Sequence, residues 1–245
     1  MVTIAKDDST AADATAKACL DSVVHLVDED PNARERLERR LRRAYLPCRS
    51  YRDGADLLLR LDDDRPGCVL VTLRSPGMAG LHTQQRLSGT GSTLSVVFLG
   101  DSPRVSAAVG AMRAGAEDFL DSPTDDDTLI ETVQRAVARD RRRKARQTAR
   151  QALRERLARL TPRERETLEA VVSGLSNKGI ADALSISPKT VELHRAHMMQ
   201  KMGAGSVAEV VKLYLFATEA ATPPVTGFPL SGHGERPIGN RQRTD

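Results

Sequence analysis

Cysteine is scarce in this chain of 245 residues, and the three it has are scattered. Cys19, Cys48 and Cys68 show no CxxC spacing, which argues against a disulfide framework or a structural zinc site and fits a reducing compartment. Long apolar runs are also missing, since none approaches the roughly 18 residues of a spanning helix. The amino-terminal stretch MVTIAKDDSTAADATAKA has acidic residues where a signal peptide has an apolar core. These absences predict a soluble, cytoplasmic protein with no membrane partner. A glycine-rich nucleotide loop is lacking as well: GDSPRV, from Gly100 to Val105, is a turn after a strand without the glycines of a phosphate cradle. No nucleophile stands out with a base beside it, so the expectation is a non-enzyme without cofactor or metal.

Positive charge is what the chain has in quantity. The formal charge is +4, and 30 of its 37 basic residues are arginine. Five of the six residues from Arg139 to Lys144 are basic. Such clusters suit nucleic acid or another anionic surface, although a charged helix face is as often simply solvated. The length allows one or two domains.

Between a small, polar leader (residues 1–20) and residue 138, apolar runs alternate with helical patterns. The strand candidates are SVVHLV from Ser22, GCVLVTL from Gly67, LSVVFLG from Leu94 and a short segment running towards Pro123. PNARERLERRLRRAY, DGADLLLRL, the first half of HTQQRLSGTGST and PRVSAAVGAMRAG read as helices. Nearly all-apolar strands alternating with helices argue for a parallel sheet covered on both faces, a class that places functional residues at the carboxyl ends of its strands. Asp28, Glu29 and Asp30 follow the first strand. They suit either a hard cation such as Mg²⁺ or the capping of the next helix.

From Asp127 to Leu160 the pattern stays helical, with Val133, Val137, Ala145, Ala149, Leu153, Leu157 and Leu160 forming a narrow apolar stripe. Residues 135–159 hold eleven basic residues against two acidic ones. This segment reads as a basic connector over 139–159, with a dimerisation stem or attraction to a phosphate backbone as candidate roles. Thr161, Pro162 and Glu164 then form a helix-start signature. Four short helices follow, ETLEAVVSGL, NKGIADAL, ISPKTVELHRAHMMQKMGA and SVAEVVKLYLFATE. Residues 161–220 carry seven basic and seven acidic residues, so a nucleic-acid role must rest on which face holds the bases. The last segment, 221–245, is rich in Pro, Gly and polar residues and is expected to be disordered.

NKGIADALSISPKTVELHRAHMMQKM has two helices joined by a tight turn at Ser185 to Ser187, an arrangement that fits either a DNA-reading helix-turn-helix or an ordinary helical hairpin. On the first reading the DNA-facing candidates are Asn177, Lys178, Ser187, Lys189, Thr190, Arg195 and Lys201. Lys and Arg can donate to guanine, and Asn177 and Lys178 can hold a phosphate at a helix start. His194 and His197 have chelating spacing but no third ligand, so they read as a packed and an exposed histidine rather than a metal site.

Residues 160–204, from LTPRERETLEAVV to HMMQKMGA, resemble the DNA-binding domain of LuxR-type transcriptional regulators. Residues 22–140 resemble the receiver domain of response regulators of the FixJ kind, on VHLVDED, GCVLVTLRSPGMAGL and AAVGAMRAGAEDFLDSP. The resemblance implies an α/β receiver of CheY-like, flavodoxin-like order with five parallel strands over 21–138. It implies an all-α four-helix domain over 160–220 that binds a two-half-site operator as a dimer. It also implies that the phosphoacceptor aspartate is replaced by Thr72, the strand-end hydroxyl by Gly100 and the phosphate-neutralising lysine by Ser122, while Asp28 and Glu29 keep the acidic pair. The small residues Gly100 and Ser122 leave room for a ligand pocket. The expected function is sequence-specific transcriptional regulation independent of aspartyl phosphorylation, with double-stranded DNA, a second copy of the chain and RNA polymerase as partners. The alternative is an interaction module that titrates a partner regulator or kinase.

Overall fold

The computed structural model describes residues 21–61, 64–73, 79–100 and 105–219. The leader, the tail from residue 221, Cys19 and the Pro76-Gly77 loop lie outside them. Strands β1 (Val23–Val27), β2 (Cys48–Tyr51), β3 (Gly67–Leu73), β4 (Ser95–Gly100) and β5 (Asp118–Asp121) form one parallel sheet in the order β2-β1-β3-β4-β5. β1 and β4 are buried along their whole length, as strands covered on both faces must be. β2 is the strand that periodicity does not reveal. CRSY is four residues long at the sheet edge and only its tyrosine is fully buried.

Helix α1 (Pro31–Arg43) and the first half of α5 (Asp126–Ala158) cover one face, packing Leu37, Leu41, Leu129 and Val133 on Leu26, Leu70 and Val97. Helices α2 (Gly54–Arg60), α3 (Ala79–Gly89) and α4 (Val105–Arg113) cover the other, where Leu57, Leu87 and Ala111 meet Val69, Val71 and Phe98. A Cβ on Gly54 would stand 1.8 Å from Oγ1 of Thr83, so α2 and α3 can touch only because this position is glycine.

Helix α5 runs unbroken for 33 residues and serves two cores. Leu129, Val133, Ala136 and Val137 belong to the sheet core, whereas Leu153 and Leu157 belong to a second core with α6 (Pro162–Val172), α7 (Asn177–Leu184), α8 (Pro188–Met202) and α9 (Val207–Thr218). Between them Ala145 and Ala149 are exposed, which interrupts the expected apolar stripe. Over 139–159, read from the sequence as a basic connector, α5 links the two cores and is held to the sheet domain in its first part. Arg139 pairs with Glu117 at 2.7 Å and Lys144 donates to the Arg65 carbonyl at 2.9 Å, so α5 stays on the sheet domain to that point. Arg146, Arg150, Arg154 and Arg156 bond to the helical domain. Eight of the eleven basic side chains thus hold carbonyls or carboxylates of the fold itself. Their charge is largely committed, which weakens the case for a phosphate-attracting stem.

The start of α6 follows the sequence signature: Thr161 and Glu164 form a capping box. Glu164 is buried and also accepts from Nζ of Lys201 at 2.6 Å. Burial works to raise its pKa, but the hydrogen bonds from Lys201 and Thr161 outweigh it and hold the carboxyl below its ordinary 4.5. A carboxyl with a depressed folded pKa stabilises above its unfolded pKa and loses that contribution as pH falls through the folded value. The helical domain is therefore expected to lose stability below about pH 4.5, and Glu164→Gln to flatten that acid limb. Helical circular dichroism melts stepped from about pH 6 to about pH 3 check this, and parallel curves for both proteins would contradict it.

Candidate nucleic-acid interface and strand-end pocket

Parallel pairing brings the carboxyl ends of the strands to one rim. Thr72 pairs with Leu99 and Leu73 with Gly100, while the Ser122 amide donates to the Gly100 carbonyl at 2.9 Å. Asp28 follows β1 and is buried, and Glu29 beside it is exposed. Of the triplet after β1, Asp30 caps α1 by accepting from the Asn32 amide at 2.8 Å, and Asp28 accepts from the Asp30 amide at 2.9 Å. Capping is thus the assigned role of Asp30, with Asp28 left facing the rim.

A cleft of about 350 Å³ opens here, lined by Asp28, Glu29 and Thr72 together with Asp53, Leu58, His82, Thr83 and Arg86. Gly100 and Ser122 are not part of it. A Cβ on Gly100 would meet the Leu73 carbonyl at 3.0 Å and the Phe119 ring at 3.2 Å, so neighbours stand close around this glycine. The cleft described here lies on the α2–α3 side. The Thr72 hydroxyl donates to the Val27 carbonyl at 3.2 Å.

Part of the oxygen that a hard divalent cation would use here is engaged within the chain: one Asp28 oxygen accepts from the Asp30 amide, and the Thr72 hydroxyl donates to the Val27 carbonyl. Among the described residues no group of three or more His, Cys, Asp or Glu can hold a metal. Among the described residues, neither Cys48 nor Cys68 brings a reactive thiol. Burial pushes the Cys48 thiol up to about 11 and raises Cys68 further.

In the helical domain, α7 is capped by Ser176 and ends at Ser185, which takes the left-handed conformation (φ 53°) in place of the usual glycine. Ser187 then caps α8, accepting from the Thr190 amide at 3.1 Å and sharing a hydrogen bond with the Thr190 hydroxyl at 2.8 Å. Val191, Met198 and Met202 are the buried side of α8, with His194 half-buried and His197 exposed. Lys189 is exposed with only Glu192, one turn on, at 3.3 Å. Asn177 and Lys178 stand at the first turn of α7, half-buried and exposed.

The candidates do not share one face. Arg195 lies about a third of a turn from Lys189, at the flank of the buried side. Lys201 is committed to Glu164, so its ammonium secures α8 to α6 rather than standing free. Leu193, absent from the sequence candidates, is 54% exposed and stands one turn beyond Lys189 on the outward side. Its i+4 spacing from Lys189 was the available signal, masked because leucine in a helix ordinarily reads as core.

Residues 24–134 match the response regulator receiver domain, and residues 158–214 match the bacterial regulatory proteins of the luxR family. The chain is 37% identical over 204 residues to the transcriptional regulatory protein FixJ of Azorhizobium caulinodans, an alignment covering 83% of this chain and 96% of that protein. The chain belongs to the FixJ-type response regulators. This response regulator is also 34% identical over 193 residues to the tetrathionate response regulatory protein TtrR of Salmonella typhimurium, covering 79% and 92% of the two chains. Among solved structures, the response regulator StyR superposes with a TM-score of 0.69 at 30% identity, covering 79% of this chain and 98% of StyR. The family places this response regulator among DNA-binding transcription factors rather than enzymes. Among the described residues no helix is long and apolar enough to cross a membrane.

Proposed function

We infer that this response regulator acts on transcription without aspartyl phosphorylation, binding its operator as a dimer in the cytoplasm and passing the signal to RNA polymerase. The observation that carries this reading is Thr72. Its hydroxyl cannot form an acyl phosphate, and it donates to the chain at the strand end where the resemblance puts the phosphoacceptor. Gly100 offers no hydroxyl and Ser122 no charge, so the partners that would answer a phosphoryl group are missing together. Val109 and Met112, exposed three residues apart on α4, support pairing with a second copy.

DNA reading falls to the amino-terminal half of α8. Lys189 supplies a donor for base edges, Leu193 an apolar contact of the kind a thymine methyl accepts, and Arg195, Lys178 and Asn177 flank it for phosphates. Ser187 and Thr190 hold the helix start in shape while remaining able to meet the backbone.

Incubation of the full chain with acetyl phosphate and Mg²⁺ is expected to give no phosphoryl adduct by intact mass. Operator affinity and light-scattering mass are expected to stay unchanged. The same treatment of Thr72→Asp is expected to leave DNA binding unaltered, because restoring one carboxylate does not restore the residues at positions 100 and 122. A phosphoryl-dependent rise in affinity in the unmodified chain would overturn the reading.

A further inference from the structure

Helices α8 and α9 both end on arginines of the second half of α5. Nη1 of Arg156 donates to the carbonyl of Met202, the last residue of α8, at 3.0 Å. Nε of Arg150 and of Arg154 donate to the Phe216 and Ala217 carbonyls at the end of α9, at 3.0 and 3.1 Å. A helix carboxyl end carries unsatisfied carbonyls and a partial negative charge, so a guanidinium there is favoured on both counts. Gly203 makes the α8 contact accessible. It takes φ +69°, and a Cβ on it would lie 2.9 Å from Nη1 of Arg156. Glycine at this position thus closes the helix and leaves space for the arginine.

We propose that Arg156 is a positioning residue for DNA recognition: from the stem it fixes the carboxyl end of α8 and thereby the aim of the amino end that reads DNA. This rests on the reading of α8 as the DNA-reading helix. The lever is long. Met202 and Lys189 are 13 residues apart, about 20 Å along the helix, so a tilt of about 5° at the fixed end displaces Lys189 by nearly 2 Å. Hydrogen bonds to base edges do not survive such a shift, whereas attraction to phosphates does. Because Arg156 lies on the same unbroken helix as Val133 and Val137 of the sheet core, the aim of α8 is referred to the receiver through one rigid element.

The test uses the full chain and an operator fragment selected by the unmodified chain from random-sequence DNA. Arg156→Ala is expected to lower operator affinity about ten-fold. Affinity for unrelated DNA and the slope of log affinity against log salt are expected to stay as they were, since no phosphate contact is lost. Arg156→Lys, which keeps the charge but not the planar fork, is expected to fall between the two and covers the case in which the alanine variant does not fold. A salt slope shallower by about 0.9, with specific and nonspecific affinity falling together, would make Arg156 a phosphate contact and overturn the proposal. Unchanged operator affinity in the alanine variant, or full affinity in the lysine variant, would overturn it too. Failure of the unmodified chain to select any sequence would instead overturn the underlying DNA reading.

Discussion

Asp140→Ala is expected to cost the protein about 3 kcal/mol of stability. Asp140 is fully buried on the inner side of α5, and its Oδ2 accepts from the Gly67 amide at 2.8 Å. Gly67 begins β3 against β1 and is buried, and a Cβ there would come within 2.3 Å of the Val23 carbonyl, so its amide is closely surrounded by the sheet. Removing the carboxylate strands a buried N–H at the start of the central strand and unfastens α5 from the sheet at the point where it leaves for the helical domain. The thermal midpoint of the receiver transition is expected to fall by about 10 °C. Asp140→Asn keeps an acceptor oxygen and is expected to lose less than half as much. A shift under about 2 °C for the alanine variant would mean that the Gly67 amide finds another acceptor and that α5 is held by its apolar contacts alone.

Asp140 also marks where sequence reasoning stops. In the run from Arg139 to Lys144 it reads as one acid diluted among bases, and periodicity cannot distinguish a buried acceptor from a solvated one. The apolar strands β1, β3 and β4 were legible because a strand buried on both faces has to be apolar throughout. Edge strand β2 was not, because four residues with one buried side chain carry no pattern. The stem was legible as a helix but not as a divided one, since its arginines bond to carbonyls of Phe216, Ala217 and Met202, acceptors that composition does not display. The rim positions Asp28, Thr72, Gly100 and Ser122 were legible from the motifs. That Gly100 is packed by Phe119, and that the cleft opens towards α2 and α3 instead, depends on long-range packing that no local pattern contains.

The double variant Lys189→Ala/Leu193→Glu is expected to lower operator affinity by at least two orders of magnitude, which separates DNA regulation from titration of a partner. Both side chains point away from the Val191–Met198–Met202 core, and Leu193 is 54% exposed. A ligand edge is what an exposed leucine on a reading helix suits, and a carboxylate in its place meets the negative field of the duplex. Because neither residue is buried, the melting temperature is expected to move by less than a degree or two. Arg195→Ala, at the flank, is expected to behave differently: specific and nonspecific affinity fall together and the salt slope becomes shallower by about 0.9, as loss of one phosphate contact requires. Fluorescence anisotropy on operator and scrambled fragments at several salt concentrations separates the two patterns. If the double variant keeps operator affinity while the cell still responds to the protein's loss, α8 does not read DNA, and the work of this chain lies in what its receiver binds. If affinity falls as expected, and Thr72 takes no phosphoryl group as inferred above, regulation has to enter through whatever changes the pairing of two copies or the seating of α8 on the stem.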